Sequence, residues 1–97
     1  MKLHKGDFIV RKRAHQGESV RYQEEHVHGY VGCTDDGRVG YGLTRVGTVW
    51  NIFELSTGMK VDTAVKKDDA VRKCEELKDK VIIALKNIKP EYRRLNR

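Results

Sequence analysis

The stretch 50-WNIFELSTGMKV-61 carries the chain's single tryptophan, and the way its two halves pair decides the fold. Its 56-STG-58 segment places Gly last in a three-residue hairpin loop, the pattern of a type I turn followed by a left-handed residue. The stretches 35-DDG-37 and 45-RVG-47 repeat that pattern. Three such loops predict four consecutive strands at roughly 26–34, 38–44, 48–55 and 59–65.

Side-chain alternation tests this register, because a one-residue slip moves every side chain to the other face. With three-residue loops, one face collects Val27, Val31, Cys33, Val39, Tyr41, Leu43, Val49, Phe53, Leu55, Met59, Val61 and Val65, interrupted only by Asn51 and Thr63. Two-residue loops would set Met59 and Val61 opposite Ser56 and Glu54 and mix the faces. The chosen register also puts Glu54 opposite Lys60, a cross-strand pair worth ~0.2–1 kcal/mol. The expected core is an antiparallel meander with one apolar face.

Downstream, 67-KDDAVRKCEELKDKVIIALKNI-88 repeats Ala70, Cys74, Leu77, Val81, Ala84 or Leu85, and Ile88 at steps of three and four, which predicts an amphipathic helix of about six turns. Asp68 and Asp69 in its first turn and Lys86 in its last suit the helix dipole, and Asn87 and Pro90 end it. Its apolar stripe is expected to cover the apolar sheet face. Its other side, from Arg72 to Lys80, mixes signs and reads as a solvated surface. The segments 6-GDFIVRKR-13 and 18-ESVRYQ-23 read as further strands that either extend the meander to five or six strands or fold over it. The fold class is therefore α+β, one domain over residues 1–88. The basic tail 89-KPEYRRLNR-97 is expected to be mobile unless Tyr92 and Leu95 dock.

Composition agrees with a single small domain. A chain of 97 residues buries little more than ~60% of its unfolded surface. Apolar residues are 38% and charged residues 35%, polar for a globular protein, yet the apolar positions are periodic. No apolar run approaches a membrane span, and MKLHKGDF lacks the apolar stretch of a signal peptide, so the expected setting is cytoplasmic and no membrane partner is expected. Cys33 and Cys74 read as small buried hydrophobes rather than a disulfide framework. The net charge is +6, and it sits at the ends. Residues 1–23 hold six Lys/Arg against two acids, residues 86–97 five against one, and residues 24–85 nine against eleven. A polyanion would therefore find its phosphate contacts at the termini, with simple solvation of those ends as the alternative.

In this register the face away from the helix carries Tyr30, Gly42, Trp50 and Ala64 on one cross-strand row, with Gly32, Gly40, Ile52 and Asp62 beside it. Glycine inside a strand marks close approach by another backbone or a ligand. Three readings of that face stand open. The N-terminal segment, with Phe8, Val10, Val20 and Tyr22, covers Trp50 and Ile52 and closes a small barrel. Alternatively the aromatics form a stacking platform for unpaired bases, each worth ~1–3 kcal/mol. In the third reading they are hot-spot anchors for a protein partner or a second copy of the chain.

The order of sheet, 58-GMKV-61 strand and 66-KKDDAVRKCEEL-77 helix resembles the sheet-plus-helix domains of the AP2-like and phage-integrase arm-binding type, and small phage and mobile-element proteins with a Trp, spacer and Thr-Gly before a helix. The resemblance covers residues 38–85. It implies a sheet face that enters the major groove and is basic. Here the corresponding positions are Arg38 and Lys60 against Glu54 and Asp62, which leaves no positive surplus.

Catalytic patterns are few. His26 and His28 alternate onto one face of a strand, with Glu24 and His15 as further candidate ligands, but Cys33 points the other way in this register and no zinc-ligand spacing links the set. The chain has neither a Walker glycine loop nor a His-Glu-x-x-His pattern, and its glycines lie in strands and hairpin loops rather than at a helix N-terminus. The expectation is a non-enzymatic, cofactor-free, nucleic-acid-associated accessory protein. Arg11, Lys12, Arg13, Arg93, Arg94 and Arg97 would contact phosphates with Arg38 and Lys60, while Tyr30 and Trp50 stack. The alternative is a protein-binding module or inhibitor, or a homodimer, using the same aromatic face.

Overall fold

Each of the two N-terminal strands runs well beyond its expected bounds of 6–13 and 18–23. In the computed structural model, which describes residues 1–17 and 19–96, β1 (Lys2–Gln16) and β2 (Ser19–Cys33) pair antiparallel along their whole length, from Lys2 opposite Cys33 to Gln16 opposite Ser19. The side chains of residues 14–16, 19 and 20, and so those of His15 and Val20, lie outside the described set. β3 (Gly40–Val46), β4 (Val49–Glu54) and β5 (Lys60–Ala64) follow, and the sheet runs β1-β2-β3-β4-β5 in sequence order. The fold is α+β with an antiparallel meander of five strands rather than four.

The hairpin does not stay in the plane of the other strands. β2 pairs with β3 only from Cys33 back to Tyr30. The ladder ends at Gly29, where the two backbones come so close that a Cβ would stand 2.0 Å from the Leu43 carbonyl oxygen. Beyond this point the hairpin crosses the sheet and lays Phe8 on Gly42, whose missing side chain leaves room for the ring. Phe8, Val10 and Phe53 are buried there together, with Val27, Val31 and Leu55 packed around them and the Phe8 and Phe53 ring centroids 6.0 Å apart. The crossing ends where the Arg11 N–H donates to the Gly58 carbonyl at 2.7 Å, joining the first strand to the β4–β5 turn.

All three turn glycines adopt the expected left-handed conformation, with φ of 72°, 62° and 68° at Gly37, Gly47 and Gly58. The loop lengths differ from expectation, and with them the faces. The β2–β3 connection closes between Thr34 and Val39, so Tyr30 lies opposite Leu43 rather than Gly42. The β3–β4 connection is a two-residue loop at Gly47 and Thr48, with Val46 opposite Val49 and Trp50 opposite Arg45. A positive φ at the first of two loop residues is the type II′ geometry that matches strand twist. Both shifts are by odd numbers of residues, so each reverses a face. Trp50 does pair with Ala64 and Ile52 with Asp62, but an irregularity between Ile52 and Phe53 then puts Lys60 opposite Phe53, not Glu54.

The helix consequently packs on the face that carries Trp50, correcting the expectation that it covers Phe53 and Met59. Val39, Tyr41, Leu43, Ile52 and Ala64 form a core with Ala70, Cys74 and Val81, and Trp50, Val61, Leu77 and Leu85 pack at its margin. The expected single helix is two, α1 (Lys67–Glu76) and α2 (Lys78–Lys86). They meet at Leu77, where φ and ψ of −92° and −4° depart from α geometry although Val81 N–H still bonds Leu77 O. Lys73 ties α1 to β5 by donating to Thr63 O at 2.7 Å beside Asp62, 3.6 Å away. No helix among the described residues is long and apolar enough to cross a membrane.

The C-terminal tail docks, through Leu95 as the sequence allowed and through a residue it did not mark. After a 3-10 turn at Pro90–Tyr92, Leu95 N–H donates to Ser56 O at 2.9 Å. The Asn96 side-chain oxygen accepts from Ile9 N–H, and its nitrogen donates to both Ile9 O and Leu55 O, each at 2.7 Å. One carboxamide thus satisfies both backbone groups of Ile9 on the edge of β1, as a residue of a neighbouring strand would.

Candidate functional site

The crossing of the hairpin brings Arg11, Lys12 and Arg13 of β1 to the same place as Lys60 of β5. With Tyr22 of β2 they surround a groove of about 620 Å³ that is also lined by Val46, Asn51, Phe53 and Met59, Phe53 buried at its bottom and Val46 exposed. Strand alternation explains this lining: Asn51 and Phe53 of β4 point away from the helices, as do Thr44, opposite Asn51, and Val46, two residues further along β3.

The cations differ in what they already do. The Arg11 side chain is 8% exposed, donates to Tyr92 O at 3.0 Å, lies 3.5 Å from Glu24 and stacks with its guanidinium carbon 5.1 Å from the Tyr92 ring centre. Lys12 pairs with Glu25 at 2.7 Å, both side chains about half exposed. Arg13 and Lys60 are exposed and have no ion-pair partner among the described residues. Tyr92 also meets Tyr22, with ring centroids 6.0 Å apart, so the tail packs against one wall of the groove, while the exposed Arg93 and Arg94 line a separate shallow hollow with Pro90. Arg97 lies outside the described residues.

Tyr30 and Trp50 do come together, their ring centroids 6.1 Å apart, but on the helix face. Lys67, at the start of α1, holds its ammonium 3.6 Å from the Tyr30 ring centre and 5.9 Å from that of Trp50. A cation already occupies the ring faces that a base would need.

Arg38 is away from the groove, on the β2–β3 loop, where its N–H donates to Asp36 at 3.1 Å. The Thr34 hydroxyl, first, and that N–H hold the Asp36 carboxyl down at about 2, with help from Lys78 at 3.2 Å. The folded value lies below the unfolded value near 3.8, so this loop's contribution is fully present above about pH 4 and is lost as pH falls through about 2. Asp36→Asn should therefore unfold at lower urea than wild type at pH 7, with the two midpoints converging between pH 4 and 2. A gap that stays constant down to pH 2 would contradict the assignment.

Elsewhere the side chains offer little for chemistry. His26 and His28 are exposed, His28 bonds Asp7, and among the described residues no group of three or more His, Cys, Asp or Glu could hold a metal ion. Cys33 and Cys74 are free; Cys33 is exposed, contrary to the sequence reading, and burial pushes the Cys74 thiol up to about 12, far from the thiolate a nucleophile requires. The Tyr41 hydroxyl is buried without a partner among the described residues, and its pKa is raised by the same burial.

Comparison with family models, curated proteins and solved structures returns no match.

Sequence reasoning named the four groove cations but not the grouping, and it passed over Tyr22, Tyr92 and Asn51 as binding residues. Tyr22 and Tyr92 lie at opposite ends of the chain. Only the crossing of the hairpin and the docking of the tail make them neighbours.

Proposed function

We propose that this protein is a non-enzymatic nucleic-acid-binding accessory protein of the cytoplasm, and that the groove between the hairpin and β4–β5 is where it binds. The observation that supports this most is the gathering of Arg11, Lys12, Arg13 and Lys60 around one concave surface, with the exposed Arg93 and Arg94 following Tyr92 in the docked tail. Two free cysteines suit a reducing compartment. The helices, with Arg72 bridging Asp69 and Glu76 at 3.2 and 3.3 Å, present a balanced surface that offers a polyanion no net attraction.

Fluorescence anisotropy with a labelled oligonucleotide tests the reading. If Arg13, Lys60, Arg93 and Arg94 each neutralise one phosphate, log affinity should fall against log salt with a slope of about −3. Trp50, the single tryptophan, should change little on binding because it lies on the helix face. Strong quenching of Trp50 would place the ligand against the Tyr30 and Trp50 rings instead. No binding at low salt would end the nucleic-acid reading, and protein capture or self-association would then have to explain the groove.

A further inference from the structure

Resting on the nucleic-acid reading above, we propose that the groove takes an unpaired strand, one base entering over Phe53 and Met59 while its flanking phosphates meet Arg13 and Lys60.

The distribution of polarity in the groove separates this from duplex binding. The apolar surface the groove offers comes mainly from Val46, 64% exposed, and the half-buried Met59, with the buried Phe53 closing the bottom, so a phosphate gains nothing by descending there, whereas the face of a base does. The free cations are at the rim, where a backbone passing across the opening would run. A duplex keeps its base faces stacked on one another and shows a protein only edges and phosphates, so it would leave this floor empty.

Two further side chains fit a base. Tyr22 is 41% exposed and stands as an aromatic wall, steadied from behind by Tyr92, whose own ring is held by Arg11. Asn51, half-buried beside the floor, carries an amide able both to donate to and to accept from a base edge. The volume of about 620 Å³ lies in the range of pockets that enclose one small ligand and falls short of a long stacked track. One base per protein should therefore be sequestered, with neighbouring nucleotides held by charge.

The test compares an oligothymidylate of about ten nucleotides with a hairpin duplex of equal length, by anisotropy at low salt, for wild type, Tyr22→Ala, Tyr22→Phe and Lys60→Ala. The single strand should bind roughly tenfold or more tightly than the duplex. Tyr22→Ala should weaken single-strand binding roughly tenfold and Tyr22→Phe should not, since stacking needs the ring and not the hydroxyl. Lys60→Ala should reduce the salt slope by about 0.7. Tyr22 is at the surface, and unchanged circular dichroism with unchanged Trp50 emission will show that its variants fold. Equal or tighter duplex binding would overturn the single-strand proposal and leave nucleic-acid binding standing. Wild-type affinity in a folded Tyr22→Ala would also overturn it, and absence of binding by either probe would remove both readings.

Discussion

Gly29→Ala should cost on the order of 3 kcal/mol or more, a large share of the ~5–15 kcal/mol that holds a small domain folded. The added methyl would lie 2.0 Å from the Leu43 carbonyl oxygen and 3.2 Å from the Thr44 Cα, both backbone atoms of a strand fixed on each side by its ladder. Neither can swing away as a side chain could. The conflict falls where β2 leaves β3, so relieving it means moving the hairpin that carries Phe8 and Val10 into their core. Gly6, which faces Gly29 across the hairpin, offers the comparison. A Cβ there meets only a Val31 methyl at 2.9 Å, a contact that a small side-chain adjustment can relieve. Urea unfolding followed by Trp50 emission should therefore rank Gly29→Ala far below Gly6→Ala and wild type. Equal midpoints for the two variants would mean that the strand does not bend at Gly29.

Glu54→Gln should destabilise by about 2 kcal/mol and Glu54→Ala by about 3–4 kcal/mol, large values for one polar side chain. Glu54 is 4% exposed and its carboxylate organises the β4–β5 turn. One oxygen accepts from the Ser56 hydroxyl at 2.7 Å and from the Thr57 N–H and hydroxyl, each at 2.9 Å; the other accepts from Ser56 N–H at 2.7 Å. Alanine would strand the Thr57 donors, which are 1% exposed and beyond the reach of water. Glutamine keeps one acceptor but turns an NH2 group toward an N–H or a hydroxyl. The damage should spread to the closure of the fold, because this turn supplies the Gly58 carbonyl to Arg11 and the Ser56 carbonyl to Leu95. Amide exchange should accordingly show Arg11 and Leu95 losing protection before the β3–β4 ladder does. A Glu54→Gln variant with wild-type stability would mean that the carboxylate is not the organiser of the turn.

Glu54 also shows where pattern reading lost its grip. Alternation identifies a face only when the two faces differ in polarity. Here both are apolar in the middle of the sheet, since the helices cover one and the hairpin covers the other. A slip by an odd number of residues then exchanges Phe53 and Leu55 for Trp50 and Ile52, one acceptable apolar set for another. In that wrong register Glu54 faces Lys60 as a surface ion pair, whereas its actual neighbours are the turn donors two and three residues ahead. Those donors are local in sequence, so a serine and threonine following a glutamate were the available sign of a carboxylate-organised turn.

By itself the sequence determined the kind of the elements and their order, an antiparallel meander followed by helix, though not their number. Period-two apolar strands, left-handed glycines at three turns, a helix with acids in its first turn and a basic excess at both ends are local properties, each fixed within a few residues. Tertiary structure decided which faces are covered and which cations meet. The sharp bend at Gly29, the seat for Phe8 at Gly42 and the Asn96 clamp on Ile9 each depend on atoms distant in sequence. Arg13, Lys60 and Tyr22 form one groove because a long hairpin gains more by burying Phe8 and Val10 against Phe53 than by lying flat in water.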